Sequence, residues 1–73
     1  MTIIINFDTF SHIIAIRRAD GTVDFIENRF NHHVAVMRWM CQLEHKYHFQ
    51  WNWTHYGDGS DVAEATLPAD AEV

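Results

Sequence analysis

The chain has 73 residues, a formal charge of -5, five Phe, three Trp and a single Cys. One cysteine excludes an internal disulfide framework, so aromatic and aliphatic packing must hold together a domain near the lower size limit for unstapled folding. No apolar stretch reaches membrane-spanning length and no basic region precedes Ile3-Ile4-Ile5, which argues against a transmembrane helix or signal peptide and predicts a soluble, cytoplasmic protein.

Thr2 to Phe7, rich in β-branched residues, predicts a strand. Ser11 to Arg18 alternates, with His12, Ile14 and Ile16 on one side and Ile13, Ala15 and Arg17 on the other. Ala19-Asp20-Gly21-Thr22 predicts a hairpin with a type I′ turn, since Asp-Gly favours positive φ. Val23 to Glu27 then returns with Val23 and Phe25 on one face and Asp24 on the other. A helix follows, capped by Asn28 or Asn31, with Val36, Met40, Leu43 and Tyr47 along one stripe. The period then switches: Phe49, Trp51, Trp53 and His55 alternate with polar residues, predicting a half-buried strand that meets the helix. Gly57-Asp58-Gly59-Ser60 is read as the end of the folded unit.

Gly57 to Val73 carry Asp58, Asp61, Glu64, Asp70 and Glu72 with no Lys, Arg or aromatic, so the net negative charge lies in this segment. So few large apolar groups cannot offset the entropy of ordering, which predicts a compact domain over 1–56 and a disordered acidic tail over 57–73. The expected fold is α+β: a small antiparallel sheet of three or four strands packed on one helix.

Chemistry-bearing constellations are sparse. Ser11 and Ser60 lack a nucleophile-elbow context, no Gly-rich phosphate loop exists, and no catalytic residue is assigned. Cys41, His45 and His48 have zinc-compatible ligand types, but the second doublet needed would be the adjacent His32-His33, whose side chains splay apart. A small His/Cys zinc domain is therefore the alternative reading, and the leading one has no metal and no cofactor. Scattered basic residues and an acidic tail disfavour direct nucleic-acid binding.

Protein recognition is what remains. Ile3, Ile4, Ile5 and Phe7 form an N-terminal strand that is apolar on both faces and is expected at a sheet edge open to strand addition. Arg17 and Arg18 beside it can meet acidic groups, and Trp39 at the margin of the helix stripe is a typical interface anchor. A monomer or weak homodimer is expected.

In length and layout the chain resembles the small regulators that lytic bacteriophages direct at host RNA polymerase, of the Xanthomonas-phage inhibitor and antiterminator type. The likeness lies in the Ile3–Ile5 strand, the Arg17–Val23 hairpin, the Asn31–Tyr47 helix, the Trp51-Asn52-Trp53 strand and the Gly57–Val73 tail. It implies binding to the large subunits of bacterial RNA polymerase near the RNA exit channel, inhibition of initiation at host promoters, and antitermination. A phage inhibitor of another host protein, such as a defence nuclease, is the other version of this reading.

Overall fold

The computed structural model describes residues 1–73 and runs β1 (Thr2–Phe7), β2 (His12–Arg17), β3 (Val23–Glu27), α1 (His33–Tyr47), β4 (Asn52–His55) and β5 (Asp61–Thr66). All neighbouring strands are antiparallel and form one five-stranded sheet in the order β3-β2-β1-β5-β4. One helix packs on one face. The α+β class is as expected, with five strands in place of three or four.

The core is a single cluster on the helix side. Ile3, Ile5 and Phe7 of β1, Ile14 and Ile16 of β2 and Ala63 and Ala65 of β5 join Val36, Met40 and Leu43 of α1. Trp51, Leu67 and Ala71 close its margin. Burying these side chains is worth about 1.5–3 kcal/mol for each large aliphatic. Trp51 is also anchored by a hydrogen bond, its indole N–H donating to the Met40 carbonyl at 3.2 Å.

Three expectations need correcting. First, the acidic tail is not a disordered appendage: Asp61–Thr66 is an interior strand, paired with β1 on one side and β4 on the other. Its alanines fit the role because Ile3 faces Ala65 and Ile5 faces Ala63 across the ladder, so a small side chain accommodates a large neighbour on the buried face. Leu67 and Ala71 beyond it are buried as well. Domain limits of 1–56 and 57–73 would therefore cut through the sheet.

Second, β1 is no edge. It is hydrogen-bonded to β2 and β5, and the edges are β3 and β4. Third, neither Asn28 nor Asn31 caps the helix. His32 does, with φ -159° and its Nδ1 accepting from the Ala35 N–H at 3.2 Å. Asn28 is engaged elsewhere: at φ 48° its side-chain oxygen accepts from the His12 N–H and its own N–H donates to the His12 carbonyl. The helix ends without glycine because His48 itself takes the left-handed conformation, φ 55°, and donates its N–H to Glu44.

Of the aromatic stretch, Trp51 is buried but precedes the strand, and β4 itself is exposed throughout. No helix is long and apolar enough to cross a membrane.

Candidate functional site

A single helix covers one face of the sheet and leaves the other bare. Register assigns the bare face residue by residue. Phe25 faces Ala15, Ala15 faces Ile4, Ile4 faces Glu64 and Glu64 faces Asn52, so these five form one row across all strands. The next row runs Glu27, Ile13, Asn6, Val62, Thr54, and the row on the other side runs Val23, Arg17, Thr2, Thr66. Phe25 is 73% exposed, Val23 42% and Ile13 41%, while Ile4, Ala15 and Val62 are half-buried by their neighbours alone. The result is a contiguous apolar strip on the β3-β2-β1 side, bordered by Arg17, Glu27 and Glu64. Singly exposed apolar residues are ordinary, but a clustered patch on one flat face is a feature of interaction surfaces.

The structure divides the residues expected to bind a partner. Ile3, Ile5 and Phe7 are in the core and unavailable. Ile4 and Arg17 lie on the bare face. Arg18 stands at the end of β2 in an ion pair with Asp24 at 2.5 Å. Trp39 is half-buried against the margin of the core, its ring 5.7 Å from Phe30 and covered by the Arg29 guanidinium, 5.4 Å from its centroid. Residues of the β3–α1 connection thus cover Trp39, and it is not a bare anchor. Phe25, Ile13 and Val62 were not singled out from the sequence. The first two were legible in it: the hairpin pairs Phe25 and Val23 with Ala15 and Arg17, on the side opposite Ile14 and Ile16.

At the helix-side end of the sheet lies an open cleft of about 490 Å³ lined by Phe7, Asp8, His33, Met37, Trp53 and Asp61. Its aromatic rings are already matched to one another. Phe7 stacks on Trp53 at 5.6 Å, Trp53 on His55 at 6.4 Å, and His33 meets Phe7 edge-on at 5.3 Å. Trp53 thus sits between Phe7 and His55, and its ring contacts are made within the fold. His55 Nδ1 contacts Asp61 at the mouth of the cleft. No nucleophile completes this pair: the Ser60 hydroxyl donates to Asp58 at 2.6 Å, and Cys41 is on the exposed side of α1.

His12 is the one buried polar side chain. Its Nε2 accepts the Phe30 N–H at 3.4 Å, and its ring lies 6.2 Å from that of His33, whose Nε2–H donates to the Ser11 carbonyl. Burial foremost, and then the proximity of His33, lowers its pKa below the ordinary 6.5. A neutral ring is what the Phe30 contact requires, so His12 serves as a structural pin for the segment entering the helix. Cys41 is exposed, and nowhere do three His, Cys, Asp or Glu side chains gather as a metal site would require.

No protein-family model, curated protein or solved structure matches the chain.

Proposed function

We propose that this chain is a non-enzymatic protein-binding regulator that engages its partner through the bare face of the sheet. One observation supports this above others: the strip of Phe25, Val23, Ile13, Ala15 and Ile4 faces outward with no layer of the fold to cover it. Removing exposed apolar area of this kind from water favours association at about 25 cal/mol per Å² before the costs of docking. The flanking Glu27 and Glu64 suit a partner surface with basic groups around an apolar centre, and the chain's overall negative charge disfavours nucleic acid as the occupant.

The resemblance in layout supplies the concrete partner, the large subunits of bacterial RNA polymerase near the RNA exit channel. Occupying that surface would suffice to hinder initiation at host promoters and to promote antitermination, with no bond made or broken. Affinity capture from bacterial lysate, with the wild-type chain beside an Ile13→Lys variant of unchanged circular dichroism, tests both parts. The expected result is recovery of polymerase large subunits by the wild type and their loss with the variant. Absence of polymerase from the wild-type eluate would overturn the assignment of partner, and equal recovery by both proteins would overturn the assignment of face.

A further inference from the structure

The outer edge of the sheet, β3, is built to pair with a second copy of itself. The Asn28 N–H donates to the His12 carbonyl and the Arg18 N–H to the Thr22 carbonyl, and with the β2–β3 register this fixes which residues hydrogen-bond inward. Antiparallel alternation then places Asp24 and Ile26 in the ladder with β2, and directs the N–H and C=O groups of Val23, Phe25 and Glu27 away from the sheet. The same three residues carry their side chains on the bare face. The edge has no proline, bulge or lysine and leaves Phe25 73% exposed. Of the devices that normally block edge pairing it keeps only its short length and the charges of Asp24 and Glu27, and Asp24 is paired with Arg18.

We infer that two copies associate antiparallel along β3, about a two-fold axis through Phe25, to give one sheet continuous across both. In that register Phe25 faces Phe25 of the second copy, Val23 faces its Glu27, and Asp24 faces its Ile26. Each outward-pointing residue meets an outward-pointing residue, so every free N–H and C=O of the edge finds a partner. The two phenylalanines form a cross-strand aromatic pair, and no like charges stand opposite one another. The neighbouring registers are worse. Moving the axis to Asp24 sets two carboxylates face to face. Moving it to Ile26 requires pairing beyond Glu27, where Asn28 has φ 48° and the strand has ended. The opposite edge, β4, spans only Asn52–His55 and offers a shorter ladder.

A single strand pair with one aromatic contact per copy lies below the size of a standard stable interface, so the dimer is weak and concentration-dependent. The dimer shares Phe25 and Val23 with the proposed partner face, but it is argued from the edge hydrogen-bonding groups and is tested on the purified chain alone, so it stands or falls apart from the identity of that partner.

Analytical ultracentrifugation from micromolar to millimolar concentration tests it. The wild-type weight-average mass should climb from 8.6 kDa towards twice that value. Phe25→Lys places like charges across the axis, and Val23→Pro removes an outward N–H without touching the ladder with β2. Each should weaken association about tenfold or more while leaving circular dichroism and the melting curve near wild type. Ile13→Lys, on the bare face but off the edge, should dimerise as the wild type does. A wild-type mass constant at 8.6 kDa, or folded Phe25→Lys and Val23→Pro proteins that still dimerise normally, would overturn the inference.

Discussion

His12 couples the fold to pH. In the folded chain desolvation, and then the nearby His33, lower the pKa of its buried ring, while in the unfolded chain it titrates at the ordinary 6.5. Below that value the unfolded state binds more protons than the folded one, so folding stability rises with pH through this window and is fully present above it. The contribution is lost as pH falls from the unfolded pKa towards the lower folded one. Urea unfolding at pH 7.5 and pH 5 should show a lower midpoint in acid, and His12→Phe should narrow that difference while costing stability at both values, because the Phe30 N–H loses its acceptor. An unchanged pH dependence in the variant would assign the effect to other groups. Trp51 tests packing at the same scale. It is 7% exposed and donates to Met40, so Trp51→Ala should cost about 3–5 kcal/mol, whereas Trp51→Phe should lose chiefly the hydrogen bond, about 1 kcal/mol. Chemical unfolding followed by circular dichroism would separate the two.

At the level of the element, the two hairpins on either side of the helix use the same turn. In the first, the Gly21 N–H donates to the Arg18 carbonyl, and the Asp20 carboxylate accepts from both the N–H and the hydroxyl of Thr22. In the second, the Gly59 N–H donates to Tyr56, and Asp58 accepts from the N–H and hydroxyl of Ser60. Gly21 and Gly59 both have φ 89°, and the aspartates before them do not have positive φ, so neither turn is the type I′ that Asp-Gly suggested. Hydrogen bonds from Thr22 and Ser60 hold the Asp20 and Asp58 carboxyls below the usual carboxylate range. A Cβ built at Gly57 or Gly59 meets nothing within 4 Å, which makes the pair a clean contrast of backbone conformation. Gly59→Ala should destabilise by about 1–2 kcal/mol, and Gly57→Ala, with no positive φ to oppose, should be neutral or slightly stabilising. Thermal melting of the two variants checks this, and equal losses would contradict it.

The repeated turn also shows what was legible in the sequence. Asp20-Gly21-Thr22 was read as a hairpin and the nearly identical Asp58-Gly59-Ser60 as a terminator, because the segment after it lacked large apolar residues. Strand β5 escaped for that reason. Its buried positions are Ala63 and Ala65, and composition does not reveal that bulky Ile5 and Ile3 lie opposite them. The helix stripe of Val36, Met40 and Leu43 and the alternation of β2 were plain from periodicity, since both bury branched or long side chains on one face. Strand order was not, because edge and interior strands differ in hydrogen-bond partners rather than in pattern. That left Ile3, Ile5 and Phe7 assigned to a surface when they belong to the core, and Phe25 overlooked on the true edge.

For the whole molecule, the position of β5 makes the fold indivisible. Removing residues 57–73 takes away the strand between β1 and β4, the cover that Ala63 and Ala65 give to Ile5 and Ile3, and the buried Leu67 and Ala71. Strand β4 would then have no neighbour, and β1 would become an edge with its apolar side open. The Leu67 N–H bond to the Met1 carbonyl and the contact of the Tyr47 hydroxyl with the Glu72 backbone would go too. A domain of this length has about 4–11 kcal/mol of total stability, and losing both ladders of an interior strand with its buried side chains exceeds what such a margin tolerates. The fragment 1–56 should therefore show no cooperative thermal transition by circular dichroism, and a synthetic 57–73 peptide added in excess should restore one by supplying β5 in trans. A sharp melting transition in the fragment alone would mean that β3-β2-β1 and the helix fold as a unit without their neighbour, and that the acidic segment is an addition to the sheet rather than part of its centre.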